Sequence, residues 1–239
     1  MITKKEIKYI QSLYHKKNRD EENAFIAEGP KIVAEIFSSG YKVLHVYALA
    51  QWIEDNPGLN AVLISGPELE KISQLQTPNQ VLAIVEKKAP VQYFNLQNKL
   101  TLVLDGIQDP GNLGTIIRIA DWFGITQIAA SADTADVFNS KVIQATMGSF
   151  LRVQCRYTDV QALLSAANVP VYGALLNGKD IRKLSPVKEG ILVIGNESKG
   201  IRSGLLPYII HPLTITRIGQ AESLNAAIAT GIILSHICA

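Results

Sequence analysis

From residue 100 onward the chain repeats one rhythm: a short apolar run, a small or polar turn, then a segment whose apolar residues recur at helical spacing. The runs are TLVLD (101–105), TQIAA (126–130), RVQCR (152–156), VPVYGALL (169–176), ILVIG (191–195) and LTIT (213–216). Helical patterns fall near 112–123, 136–146, 158–167 and 223–236. A strand without polar alternation is buried on both faces, and helices between successive strands carry the chain back for parallel pairing. The expected class is α/β, with a parallel sheet covered on both faces.

The first part of the chain shows the same alternation on a smaller scale. Ile7, Ile10, Leu13 and Tyr14 predict a helix over 4–14, interrupted by the polar stretch HKKNRDEEN. FIAEG (25–29) reads as a strand, and Pro30 suits the first turn of a helix running to Phe37. VLHVYAL (43–49), AVLIS (61–65) and VLAIVE (81–86) read as further strands, with helical pieces near 51–55 and 67–75. Residues 87–99, KKAPVQYFNLQNK, lose periodicity. The expected organisation is a small α/β domain over 1–90, a linker over 91–99 and a larger domain over 100–239.

Composition narrows the function classes. An apolar fraction of 47% over 239 residues is ample for packed cores. No stretch has the ~18 apolar residues of a membrane span, and MITKKEIKYIQSLYHKK lacks a signal-peptide core, so a cytoplasmic protein without membrane partners is expected. Cys155 and Cys238 have no CxxC or Cys/His spacing, and no metal is implied. The net charge of +2 is mild, but Lys4, Lys5, Lys8, Lys16, Lys17 and Arg19 crowd the first nineteen residues, where Glu6 is the only acid. That field would attract phosphates, although a solvated basic helix would look the same.

Familiar nucleotide and hydrolase motifs are missing. The turn Gly106–Gly114 is not GxGxxG, GNESKG continues into Ile201-Arg202 rather than the Lys-Ser/Thr of a P-loop, and neither HExxH nor GxSxG occurs. Three other blocks link strand ends or turns to helices: DGIQDPGNLGTIIRIADWFG (105–124), ILVIGNESKG (191–200) and AESLNAAIATGI (221–232). In the first, Asp109-Pro110-Gly111 favours a turn and Asn112 is expected to cap a helix beginning at Leu113. Arg118 then lies off the buried stripe of Leu113, Ile116, Ile117 and Ala120, either free or paired with Asp121. In the second, Glu197 stands at the end of an apolar strand, where ligands bind in open α/β sheets, or merely caps the next turn. In the third, Ser223 is expected to cap a helix rich in small residues.

Together, in order and spacing, the blocks resemble the three signature motifs of the SpoU/TrmH family of RNA 2′-O-ribose methyltransferases, in the SPOUT superfamily. Asn112-Leu113-Gly114 through Arg118-Ile119-Ala120 carry the first, Gly195-Asn196-Glu197 with Gly200 the second, and Ser223-Leu224-Asn225 with Ala229 the third. FIAEGPKIVAEI in the first domain resembles the ribosomal-protein-like α/β substrate-binding domain that precedes the catalytic domain in many members. The resemblance implies a deep trefoil knot in the second domain, an exception to the rule of unknotted chains. It also implies S-adenosylmethionine bound against Leu175, Leu176, Asn177, Gly195, Asn196, Ile215 and Leu224, and a homodimer.

The implied reaction passes a methyl group to a ribose 2′-hydroxyl of ribosomal or transfer RNA. Arg118 matches the family's catalytic arginine, sometimes described as the base, and Asn112, Glu197, Ser223 and Asn225 would position ribose, Arg118 or the cofactor. A guanidinium, with pKa above about 12, anchors a phosphate more readily than it removes a proton. Lys4, Lys5, Lys16, Lys17 and Arg19 would contact RNA phosphates. One departure stands out: Ile215-Thr216-Arg217-Ile218-Gly219 replaces the Ile-Pro-Met turn of many members, and Arg217 adds positive charge near a cationic donor. That change leaves room for an RNA-binding or ribosome-assembly protein of the same fold with weak or no catalysis. An unrelated nucleotide-dependent α/β enzyme would require the motif matches to be accidental.

Overall fold

The computed structural model describes residues 2–89 and 93–238. Its described residues divide into two compact units, 2–89 with 138–151 and 93–137 with 152–238.

The first unit holds a mixed sheet of four strands, in order β1 (Ala24–Glu28), β4 (Val81–Glu86), β2 (Val43–Ala48) and β3 (Val62–Leu63). β4 runs antiparallel to both neighbours, and β2 and β3 are parallel. α1 (Lys4–Ser12) starts at a capping box in which Thr3 and Glu6 bond each other's backbone, and it ends two residues earlier than its apolar pattern suggested. The polar stretch after it is helical too, as α2 (Lys16–Glu21). α3 (Pro30–Ser38), α4 (Ala50–Asp55) and α5 (Gly66–Ile72) complete the helices of 2–89. Ile10, Leu13, Ile26, Leu69, Ile72, Leu82 and Ile84 pack into its core.

Residues 138–151 correct the expected domain boundary, because this excursion packs within the first unit. Phe25 of β1 meets the rings of Phe138 at 4.8 Å and Phe150 at 5.9 Å. α7 (Ser140–Thr146) lies between them in sequence, and Gln144 Nε2 donates to the Glu28 carbonyl at 2.8 Å. The expected linker is corrected in part as well. Its residues 91 and 92 lie outside the described residues, whereas Phe94 and Leu96 pack against the core of the second unit.

The second unit is a parallel sheet of six strands in the order β10 (His211–Thr214), β8 (Val171–Asp180), β9 (Gly190–Gly195), β5 (Leu100–Asp105), β6 (Gln127–Ala130) and β7 (Gln154–Tyr157). Among the described residues every pairing in this sheet is parallel, as the unrelieved apolar runs require. α6 (Pro110–Trp122), α8 (Val160–Ser165) and α9 (Ala226–Ile237) alternate with the strands. The chain steps outward from β5 to β6 and β7, then resumes on the other side with β8 and β9. The order therefore reverses between β5 and β9, the position where open α/β sheets form a crevice at their carboxyl ends. Asp105 and Gly195, the last residues of those strands, are in register there.

Candidate active site

The crevice is lined first by a loop pinned at both ends. After Gly195, Asn196 bridges to Gly200, and its Oδ1 accepts from the backbone of Ser198 at 2.9 Å and Lys199 at 3.2 Å. Asn196 Nδ2 donates to the Gly106 carbonyl at 2.7 Å, which ties the loop's start to the end of β5. The fold-back is so close that a Cβ on Gly195 would come within 2.3 Å of the Gly200 carbonyl carbon and 2.4 Å of the Ile201 nitrogen. Only glycine fits, because both obstacles are backbone.

The loop's far end is held by Arg202. Its backbone N–H donates to Asp105 Oδ2 at 2.7 Å, its side chain makes a close ion pair with Asp105 Oδ1, and Nη2 reaches Asp133 Oδ1 at 3.1 Å. The Asp105 side chain is fully buried, while Arg202 is half exposed. The bond to Asp105, first among the causes, raises the Arg202 pKa. A hydrogen bond from Ser131 Oγ is the main reason that the Asp133 carboxyl titrates below its ordinary range. Ser131 Oγ also accepts from the Gly106 backbone at 2.8 Å. The sequence reading missed this Asp105–Arg202–Asp133 clamp. A carboxylate closing the apolar run TLVLD was the available signal, since a charge buried at a strand end needs a partner.

Glu197 stands at the tip of this braced loop and meets the two asparagines singled out by sequence. Asn112 Nδ2 donates to Glu197 Oε1 in a close hydrogen bond, and Asn225 Nδ2 donates to Asn112 Oδ1 at 2.8 Å. Asn225 Oδ1 accepts from the backbone of Ala227 at 3.0 Å and Ile228 at 3.2 Å, capping α9. Both cap expectations are corrected here. Asn225 caps α9 rather than Ser223, and Asp109 caps α6 by accepting from the Asn112 backbone at 2.7 Å. Because Asp109 takes the capping role and Pro110 occupies the first turn, the Asn112 side chain is left to reach Glu197.

Arg118 is exposed on α6, and among the described residues no hydrogen bond or ion pair engages it. Asp121, its suggested partner, is paired with Arg152 at 2.9 Å instead. Ser223 is exposed in the segment leading to α9. The structure thus joins Asn112, Glu197 and Asn225 in one chain of hydrogen bonds, whereas Arg118 and Ser223 engage no side-chain partner among the described residues.

The expected cofactor residues fall on several segments: Gly195 ends β9, Asn196 follows it, and Ile215 follows β10. β8 keeps register with β9 through Gly173 and pairs with β10 again only at Lys179, so 174–178 pass the Pro212/Leu213 step without a counterpart. Leu175, Leu176 and Asn177 fall in that irregular stretch. Thr214 Oγ1 donates to the Leu176 carbonyl at 2.9 Å, linking it to the segment carrying Ile215. Leu176 is 76% exposed and Leu224 46%, apolar side chains presented to solvent beside polar backbone. Exposed apolar side chains of this kind suit the ring of an adenosine, which needs apolar cover and backbone donors and acceptors for its edge. Arg217 points into its own loop, where Nη1 donates to the Ala221 carbonyl at 3.2 Å.

Of the expected phosphate contacts, Lys4, Lys5, Lys16 and Lys17 are exposed, and Lys17 pairs loosely with Glu21 at 3.8 Å. Arg19 is corrected. It is 3% exposed, and its Nη1 donates to the carbonyls of Leu13 at 2.9 Å and Tyr14 at 2.7 Å, satisfying the end of α1. Among the described residues, no cluster of His, Cys, Asp and Glu is placed to hold a metal ion, and no helix is long and apolar enough to cross a membrane.

Comparison with known proteins agrees with this architecture. Residues 99–235 match the SpoU rRNA Methylase family, and residues 4–83 match the MRM3-like substrate binding domain. The Bacillus subtilis 23S rRNA (guanosine(2553)-2′-O)-methyltransferase RlmP is 31% identical over 97% of this chain and 95% of its own length. A Porphyromonas gingivalis structure assigned to the TrmH family of RNA methyltransferases superposes with a TM-score of 0.88 at 36% identity, covering 99% of this chain and 98% of that one. An AdoMet-bound rRNA methyltransferase from Sinorhizobium meliloti gives 0.87 at 32% identity, covering 99% and 95%. Family match and full-length likeness lead to one conclusion: the chain belongs to the SpoU rRNA methylase family.

Proposed function

We propose that this protein transfers a methyl group from S-adenosylmethionine to a ribose 2′-hydroxyl of RNA, ribosomal RNA being the favoured class. The carrying observation is the hydrogen-bonded set Asn112–Glu197–Asn225, assembled from three separated motifs at the switch point of a parallel sheet. Full-length likeness to RlmP supports ribosomal RNA, and likeness to the AdoMet-bound Sinorhizobium enzyme supports the donor.

S-adenosylmethionine supplies an electrophilic methyl group on a sulfonium. Leu175, Leu176, Asn177, Gly195, Asn196, Ile215 and Leu224 would hold it, and the clamp around 195–202 would keep Gly195 and Asn196 in place before it arrives. What remains is to orient a weakly acidic hydroxyl and remove its proton. Arg118, exposed and without an ion-pair partner among the described residues, suits a phosphate next to the target ribose. Ser223 is a further hydroxyl available to ribose.

The active form is a homodimer in this reading. Trp122 at the end of α6 is 84% exposed and Ile228 on α9 55%, large apolar side chains on two helices that pack together within the unit. A trefoil knot belongs to the same reading, supported by the full-length likeness to the Porphyromonas gingivalis TrmH-family structure. The first unit would hold RNA through Lys4, Lys5, Lys16 and Lys17, contacts that position without reading sequence. A cytoplasmic location accompanies these assignments.

The test is methyl transfer to unmodified ribosomal RNA by the wild type and by Arg118→Ala. The wild type should transfer, and the variant should lose transfer while keeping its fold and its calorimetric affinity for S-adenosylmethionine. Full activity in Arg118→Ala would refute the role of that residue. Tight RNA binding with neither transfer nor cofactor binding in the wild type would favour the assembly-protein reading.

A further inference from the structure

The segment that follows β10 has little backbone bonding to hold it. Among the described residues, none of 216–224 makes a backbone–backbone hydrogen bond, and Ile218 is 95% exposed. Side chains fasten it instead. Thr214 Oγ1 donates to the Leu176 carbonyl at 2.9 Å, and Thr216 Oγ1 donates to Asp180 Oδ2 at 2.7 Å. Ile215 lies between these two threonines, so the chain on either side of it is tied to β8. The direction of the second bond is set by chemistry, because an ionised carboxylate only accepts. Asp180 is itself held in place by its neighbour two residues on. Its Oδ1 accepts from the Arg182 backbone and Nε, each at 3.0 Å, and its Oδ2 accepts from Nε at 3.0 Å and Nη2 at 2.5 Å. Hydrogen bonds from the Arg182 side chain, first among the causes, and from Thr216 hold the Asp180 carboxyl below the usual carboxylate range.

We infer that Asp180 and Thr216 are positioning residues for S-adenosylmethionine, a latch that fastens the segment after β10 to β8 before the cofactor arrives. The inference rests on the methyl-transfer reading above and deepens it. The tethers join the two stretches expected to hold the cofactor, 175–177 on β8 and Ile215 after β10, and so fix the spacing between them. A segment ordered in advance loses less freedom when its ligand binds, and the smaller loss appears as affinity. Asp180 suits the role because a hydrogen bond to a charged acceptor is stronger than one between neutral groups. The Arg182 fork steadies the carboxylate without displacing Thr216, since Oδ2 accepts from both. Beyond Thr216, the bond from Arg217 Nη1 to the Ala221 carbonyl closes the turn on itself, so the latch governs where that turn begins. In this role neither residue acts on the reacting atoms, and the effect falls on cofactor affinity rather than on the chemical step.

The experiment uses the full-length protein, calorimetric titration with S-adenosylmethionine, and methyl transfer to an RNA that the wild type methylates. Thr216→Val keeps the side-chain size, removes the hydroxyl and leaves the Asp180–Arg182 pair in place. Its dissociation constant for S-adenosylmethionine should rise about five- to tenfold, the scale of a hydrogen bond to a charged group reduced by competing water. Thr216→Ser restores the donor and should bind within about twofold of wild type. In steady state the loss in Thr216→Val should fall on KM for S-adenosylmethionine, with kcat kept within about twofold, the pattern of an interaction made equally in ground and transition states. Asp180→Ala should weaken cofactor binding at least as much, and adding Thr216→Val to it should cost nothing further, because both act through one bond. Hydrogen exchange gives a readout independent of activity: amides of 215–221 should exchange faster in unliganded Thr216→Val than in unliganded wild type, with melting and RNA affinity unchanged. Cofactor affinity in Thr216→Val equal to wild type, failure of Thr216→Ser to restore it, or strictly additive losses in the double variant would overturn the inference while leaving the methyl-transfer reading intact. A wild type that neither binds S-adenosylmethionine nor transfers methyl would overturn that reading and the inference with it.

Discussion

Removing the Arg202 side chain should damage the second unit more than its half-exposed position suggests. Arg202→Met keeps most of the aliphatic stem and deletes the guanidinium. The backbone N–H of residue 202 would still reach Asp105 Oδ2, but Oδ1, on a side chain with no solvent exposure, would lose its charged partner. Stripping one member from a fully buried pair costs about 3–5 kcal/mol. Arg202 is 51% exposed, so water screens part of its charge, and about 2–3 kcal/mol is the discounted figure. For a unit of this size that lowers the melting temperature by roughly 5–10 °C. Scanning calorimetry on the single and double variants checks it. Asp105→Asn with Arg202→Met removes the stranded charge, so the double variant should be more stable than the sum of the singles by about 1–3 kcal/mol. A single variant within about 0.5 kcal/mol of wild type, or strictly additive effects, would refute the clamp.

Three further outcomes follow from neighbouring geometry. Gly195→Ala places a methyl within 2.4 Å of backbone at residues 200 and 201, so the loop must open; calorimetry should show S-adenosylmethionine affinity down by at least about tenfold, roughly 1.4 kcal/mol. Arg19→Ala should cost about 1–3 kcal/mol of stability by unbonding two carbonyls at the end of α1, whereas Lys4→Ala with Lys5→Ala should leave melting unchanged and flatten the salt dependence of RNA binding. Asp133 has a lowered folded-state pKa, so its contribution to stability is complete above the ordinary carboxylate range and is lost as pH falls through the folded value. Asp133→Asn should therefore weaken stability at neutral pH and narrow its difference from wild type in acid, which melting curves across pH would reveal.

Strand and helix order in both units was legible because apolar runs and helical stripes alternate cleanly, and burial enforces that alternation. The parallel pairing of the second sheet followed from runs such as ILVIG, which leave no polar face for water. The helix over 16–21 was hidden by its composition. KKNRDE carries no apolar stripe, and what holds α2 includes Arg19 folded onto the preceding carbonyls, a tertiary bond that charge alone disguised as an RNA contact. The return of 138–151 to the first unit was invisible for a related reason, since stacking of Phe138 and Phe150 on Phe25 joins residues far apart in sequence. At the site, Asn112, Glu197 and Asn225 could be chosen from motifs, but their connection depends on which residue caps each helix. Asp109 and Asn225 took those caps in place of Asn112 and Ser223. The clamp escaped notice because a single Asp and a single Arg separated by most of the domain leave no spacing to read.

The most direct test of the account is the chemical position of the transferred methyl. Purified protein is incubated with methyl-labelled S-adenosylmethionine and unmodified ribosomal RNA, alongside transfer RNA, and the RNA is digested to nucleosides. The account predicts label in a 2′-O-methyl nucleoside, from ribosomal RNA and not from transfer RNA, and loss of that label with Arg118→Ala. Label on a base, or none in either RNA while S-adenosylmethionine binds and assembled ribosomal particles also fail to accept methyl, would contradict it.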